Sequence, residues 1–349
     1  MKRKYAAILI IVVVVGIGSF LWNRFINPDP VSAELKQMVT DSKTSTFSVK
    51  KWEEADRYSK KAIKFKEKDE LMSSGNEFAV TGVKLKAPYG IACLPEGILL
   101  ADHGENCLYL IDYSGNLVRK IGELGNGPNQ FQKPTGCTYH NGYYYVIDSG
   151  NKRIVILDRQ FNYTKELKLP KSEREPEKEF TDIAINDKGD IYISGSYLYD
   201  SGLYRYNLEK DKFENVQKYF YGSLKEFGGE VYAVDQFRIY VDFEKKEITG
   251  GAGPNALWRL DGRNIKKLSN LPAGLNAGSF ELLRDSLIIC SPFHSAVMVF
   301  NMKNGKYMSN IYEVDKMDYK TYASIYGSDL YITEPEKGKI LKISLEKLQ

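Results

Sequence analysis

Histidine and cysteine are scarce in this 349-residue chain, and what they fail to form narrows its chemistry. The three histidines, His103, His140 and His294, are widely separated and show no metal-ligand spacing. The four cysteines, Cys93, Cys107, Cys137 and Cys290, include no C-x-x-C pair, and three of them sit within short apolar runs. That pattern reads as buried thiols and excludes a zinc ribbon or a disulfide framework. Charge of one sign is lacking too. Lys and Arg number 49 against 45 Asp and Glu, for a net charge of +4, with the two signs interspersed. This describes a solvated surface with no basic stripe for nucleic acid. Neither a Ser-His-Asp grouping nor a nucleophile elbow is present. The glycines of GELGNGPNQF precede a strand-like run and open no helix, so a phosphate cradle is not indicated.

Long apolar runs are absent with one exception. Residues 5–22, YAAILIIVVVVGIGSFLW, carry no charge and as a helix would reach about 27 Å, against roughly 30 Å for a bilayer core. Lys2, Arg3 and Lys4 precede the run and only Arg24 follows closely, which predicts a cytoplasmic amino terminus and an extracytoplasmic remainder. The alternative is a secreted protein cleaved after Ala33, at the small residues of Val31-Ser32-Ala33. The expected organisation is a tip and signal-anchor helix over 1–26, a charged, partly helical linker over 27–76, and one all-β domain over 77–349.

Tyr at 25 and Gly at 29 favour strands joined by tight turns. The domain repeats six times. Second strands end at Asp102, Asp148, Gly195, Asp235, Ser291 and Glu334, and third strands follow as LYLID, IVILD, LYRYN, LWRLD, VMVFN and ILKIS. In four units the two strand ends lie ten residues apart, as from Asp102 to Asp112 and from Asp148 to Asp158. A period of this size predicts a six-bladed β-propeller, since one small sheet cannot bury both of its faces. The fourth unit carries an insertion, roughly 236–255, that can form a hairpin from FRIYVDF and KEITGG. The strand-like EFAVTGVKL, Glu77 to Leu85, is expected to complete the last blade and lock the ring.

The second unit, Gly122 to Asp158, resembles the NHL repeat through Gly125, Gly127, Phe131, Pro134, Gly136, Asp148, Ser149, Asn151, Arg153 and Ile154. The first unit matches through Pro88, Gly90, Ile91, Asp102, Gly104 and Asn106, while units three to six keep only the strand rhythm. These motif positions read as structural. The glycines permit turns, and Asp148 satisfies loop amides before Arg153 enters the next strand. Loops between second and third strands, with those entering first strands, should share one rim around the channel, where propeller sites are expected. The rim candidates are Tyr89, His103 and Glu105; Asp182, Tyr197 and Tyr199; Phe237 and Arg238; and Phe293 and His294.

The resemblance implies two classes of function. One is a sensor or interaction module that binds a protein, peptide or glycan. The other is a lyase or lactonase holding zinc or calcium at the channel mouth. A zinc lyase would want three histidines there, and His140 falls on a first-to-second-strand loop at the opposite rim. A calcium site from Glu105 and Asp182 has no recognisable spacing. The expectation is a binding module with no cofactor, tethered to the membrane through residues 5–22. The RNA binding of some cytoplasmic NHL propellers conflicts with export and with the absent basic stripe.

Overall fold

The computed structural model describes residues 48–49, 73–171, 179–196, 201–218, 220–235, 238–242, 247–251, 255–272, 275, 277–292, 294–314, 316–318 and 320–348. The apolar run 5–22, the Ala33 site and nearly all of the linker lie outside the described residues. Among the described residues no helix is long and apolar enough to cross a membrane.

Six four-stranded antiparallel sheets form the blades of a propeller. Their first strands are Pro88–Leu94, Pro134–His140, Glu179–Ile185, Gly222–Phe227, Ser279–Leu283 and Tyr322–Tyr326. Each contacts the first strand of the next blade, and that of blade six contacts that of blade one, so the ring is closed. Second and third strands are short runs of Ile, Leu, Val and Tyr, and in blade one Gly97–Asp102 and Cys107–Ile111 are buried throughout. A strand buried on both faces is continuously apolar, with no alternation of polar residues. Six apolar clusters fill the six gaps between blades, from Leu99 with Val146 between blades one and two to Ile98 with Tyr331 between blades six and one. Apolar burial at roughly 25 cal/mol per Å² is thus gained between sheets rather than within one.

The ten-residue register has a backbone cause. Asp102 pairs with Cys107 and Asp148 with Arg153, leaving a four-residue turn between them. The last turn residue is left-handed in all four regular units: Asn106 at φ 57°, Lys152 at 57°, Ser295 at 49° and Gly338 at 62°. Such a conformation costs an ordinary residue energy, and in blade one the acidic strand end helps offset it. Asp102 accepts hydrogen bonds from the amides of Lys86, Ala87, Gly104 and Glu105 at 2.9–3.0 Å. One carboxylate therefore ties the strand that enters blade one to the turn that leaves its second strand.

Blade two carries the fullest form of this clasp. Asp148 accepts from the Gln132 amide at 2.6 Å, from Asn151 at 2.7 Å and from Arg153 Nε at 2.9 Å. Arg153 then donates to Glu166 at 2.7 Å and to the carbonyls of Gly127 and Gln130 at 3.0 and 2.9 Å. The Asp-Ser-x-Asn-x-Arg residues are consumed in holding the glycine-spaced loop onto the blade. The Pro-x-Gly glycines answer a packing demand: a Cβ on Gly90 would stand 2.1 Å from Thr135 O, and one on Gly136 would stand 2.7 Å from Thr181 O.

Ring closure occurs as expected in kind but not in position. The closing strand is Gly75–Glu77, antiparallel to Lys339–Ser344 with Asn76 opposite Lys342, whereas Glu77 to Leu85 was the expected ladder. Past Phe78, whose amide donates to Ile340 O at 2.8 Å, the chain leaves the sheet. Phe78 and Leu85 instead fill the gap between blades six and one. Their apolar alternation serves that gap. The blade-four insertion is a hairpin, Arg238–Asp242 with Glu247–Gly251, and Ser48–Val49 of the linker pairs with it in parallel.

Candidate binding site at the channel mouth

The turn after each second strand and the segment entering each first strand share a rim. In blade one the His103 amide donates to Ala87 O at 2.9 Å, and the His103 ring stacks on Tyr89 with centroids 4.4 Å apart. Tyr322, on the first strand of blade six, stacks against the same tyrosine at 5.8 Å. The Lys320 ammonium lies 5.1 Å from the Tyr89 ring centroid and pairs with Glu179 at 2.9 Å. Glu179 belongs to blade three and Lys320 precedes the first strand of blade six. These blades face each other, so the ion pair crosses the channel.

A second charged layer lies deeper. Lys225 of blade four donates to Ala323 O of blade six at 2.5 Å and pairs with Glu281 of blade five at 2.8 Å. Asp182, on the first strand of blade three, accepts from the Leu224 amide at 2.9 Å and from the Ile183 amide at 3.0 Å. The Cys93 amide donates to Ser324 Oγ at 3.0 Å. These contacts tie neighbouring blades together beneath the mouth, and the Lys225 contact reaches from blade four to blade six.

Burial sets the protonation states. It pushes the Asp182 carboxyl up to about 6, against the pull of Lys225 and the two amides. It pushes the Tyr322 phenol well above its ordinary value, and Tyr89 in the same direction, so both stay protonated. Burial lowers His103, leaving it neutral, and its Nδ1 is enclosed without a hydrogen-bond partner among the described residues. For Lys320 and Lys225 burial acts to lower the pKa. It is outweighed by Glu179 and Tyr89 for the first and by Glu281 and Asp182 for the second. Both ammonium groups are therefore charged.

Of the residues singled out from the sequence, Tyr89 and His103 come together at the mouth. Glu105 is set apart on the outer rim, paired with Lys86 at 2.5 Å. Asp182 sits in the channel wall below the rim, within electrostatic reach of Tyr322. His294 lies 2.8 Å from Ser291 Oγ, and burial pushes it down to about 4, so it is a neutral, enclosed side chain. Arg238 begins a strand of the insertion hairpin. Tyr197, Tyr199, Phe237 and Phe293 lie outside the described residues. His140 ends the first strand of blade two, at the end of the channel opposite His103. Among the described residues no group of three or more His, Cys, Asp or Glu is placed to hold a metal ion.

Glu179, Lys320, Tyr322, Lys225 and Glu281 were not anticipated. For Lys225 and Glu281 the signal was a charge beside Leu or Phe within a first strand, as in GSLKEF and SFELL. It becomes readable once the blades are assigned.

The six sheets in a closed ring define a six-bladed β-propeller. A family model described as a 6-bladed beta-propeller matches residues 82–229. No curated protein matches the chain. Among solved structures, a Bacteroides fragilis protein described as exported aligns with TM-score 0.54 at 13% identity, over 80% of this chain and 97% of its own. A luciferin-regenerating enzyme aligns with TM-score 0.54 at 10% identity, over 78% and 95%. A streptogramin B lyase aligns with TM-score 0.48 at 13% identity, over 79% and 99%. For the first two, at these identities, the likeness is one of fold.

Proposed function

We propose that this chain is a binding module of the NHL-like kind, held outside the cytoplasm by a membrane anchor at residues 5–22, that takes a protein, peptide or glycan at its channel mouth. The observation that carries the reading is the Tyr89–His103–Tyr322 stack beside the Glu179–Lys320 pair. Aromatic rings next to opposite charges form a recognition surface, and the Lys225–Glu281 pair lies beneath it. The motif acids are engaged by internal partners. Asp102 and Asp148 spend their oxygens on amides and on Arg153.

The test is a screen of the detergent-solubilised full chain against peptide and glycan arrays, repeated with Tyr89→Ala and Glu179→Gln after circular dichroism has verified folding. Each substitution should weaken the ligand at least tenfold, on the scale of one lost aromatic or charged contact. Unchanged affinity for every ligand found would remove the site. Metal analysis separates the enzymatic alternative. A stoichiometric divalent ion, lost in His103→Ala or Glu105→Ala, would favour a metal-dependent lyase or lactonase. Protease accessibility of the propeller in intact cells tests the topology.

A further inference from the structure

The propeller already holds one ligand-like group in its mouth, the ammonium of its own Lys320. That ammonium lies 5.1 Å from the face of Tyr89 and 2.9 Å from Glu179, and it is within electrostatic reach of Tyr221. Two features indicate that this arrangement is a site with a resident stand-in rather than a permanent strut. The Lys320 side chain is 41% exposed, so its head can leave for solvent. Among the described residues, the wall around it also carries more carboxylates than ammonium groups. Glu179, Asp182 and Glu281 face Lys320 and Lys225, while Lys133 and Glu336 add one charge of each sign nearer the rim. Glu179 is matched by Lys320 and Glu281 by Lys225. Asp182 has only amides as direct partners, and Tyr322 stands within reach of both Glu179 and Asp182. When the Lys320 head swings out, Glu179 loses its paired cation and Asp182 keeps only the longer-range pull of Lys225, beside the rings of Tyr89 and Tyr322.

Resting on the reading of the channel mouth as a binding site, we propose that its ligand class is cationic: a peptide presenting a primary ammonium or guanidinium group, which displaces the Lys320 head from Tyr89 and Glu179 and lies toward Asp182. Aromatic rings attract such groups through their quadrupole, most strongly where water is excluded. An acidic peptide would meet the excess of carboxylates, and a neutral sugar would leave Asp182 with amides alone as direct partners.

Calorimetric titration of the full chain with glycyl-lysyl-glycine, its ε-acetylated form, glycyl-glutamyl-glycine and maltotriose tests the proposal. The lysyl peptide should bind, and acetylation should weaken it at least about tenfold. Asp182→Asn and Glu179→Gln should each weaken it similarly. Lys320→Met should tighten it several-fold, since the stand-in is gone, an effect that a purely structural lysine would not give. Equal binding of the acetylated peptide, no binding of the lysyl peptide, or weaker binding by Lys320→Met would overturn the proposal. If maltotriose or the acidic peptide binds and Tyr89→Ala abolishes it, the cationic assignment falls while the mouth remains a binding site. If a probe binds and Tyr89→Ala leaves it unaffected, both readings fall.

Discussion

Replacing Arg153 with Met would expose what the blade-two clasp contributes. Its side chain is 9% exposed and that of Asp148 is fully enclosed. Met retains much of the stem volume but removes every donor. Asp148 would keep the Gln132 amide and Asn151 while losing its only charged partner in the clasp, and the carbonyls of Gly127 and Gln130 would lose theirs. Breaking a buried ion pair from one side costs about 3–5 kcal/mol, because the remaining charge stays desolvated. In a domain of this size that corresponds to a fall in Tm of roughly 6–15 °C. The pH dependence carries a sign. Burial already holds the Asp148 carboxyl above its ordinary value, with Arg153 among the groups pulling it down. In the variant that restraint is lost, and the folded carboxyl rises further above its unfolded value. The folded state then binds the proton more tightly, so the variant regains stability as pH falls through the folded pKa. Urea unfolding followed by tyrosine and tryptophan fluorescence should show the largest deficit near pH 8 and a smaller one near pH 5. Combining Asp148→Asn with Arg153→Met should cost less than the two single losses added together. A deficit below about 1 kcal/mol, or one independent of pH, would refute the clasp as a buried charge pair.

Gly90→Ala should destabilise by about 1–3 kcal/mol, as overpacking does, because its Cβ would meet Thr135 O at 2.1 Å; thermal melting measures it. Asp182→Asn should raise stability at pH 7 by up to about 2 kcal/mol, since a carboxyl pushed up to about 6 disfavours the folded state once ionised. In the parent protein, stability contributed by this group should fall as pH rises from about 4 to 6, and urea unfolding across that range should lose this slope in the variant. The thiols of Cys93, Cys137 and Cys290 are pushed up to about 12 by burial. Ellman's reagent at pH 8 should therefore react slowly with the native chain and rapidly with all four cysteines after denaturation.

The propeller was readable from its strand ends because those residues do two repeated jobs. An acid at the end of a second strand collects backbone amides from the segments around it, as Asp102, Asp148 and Asp235 do. An Asp or Asn at the end of a third strand folds the following turn, as Asp112 and Asp158 do through the amides of Asn116 and Asn162. Repeated backbone demands produce repeated residues. The closing strand was misplaced because Phe78, Val80, Val83 and Leu85 are spaced like a strand yet bury against an inter-blade gap, which a pattern of apolar residues cannot distinguish from a ladder. The channel mouth was half readable. Tyr89 and His103 stand beside motif positions in blade one, where the register is sharp, whereas Glu179 and Lys320 open blades whose motif has decayed.

This division bears on where function resides in the chain. Conformationally demanding positions, the acid, the glycines and the arginine of blade two, are saturated by internal partners and have no valence left for a ligand. Residues that do have valence left are Tyr89, His103, Lys320 and Asp182, and each comes from a different local context. A ring of blades brings them within reach of one another without any sequence pattern linking them, since only the radial stacking sets their separation. Variation at such positions leaves the clasps intact, so one scaffold can present different mouths. On the proposed reading, specificity is to be sought where the repeat is silent, in the cross-channel pair of Glu179 and Lys320 and in the carboxylate of Asp182 beneath it.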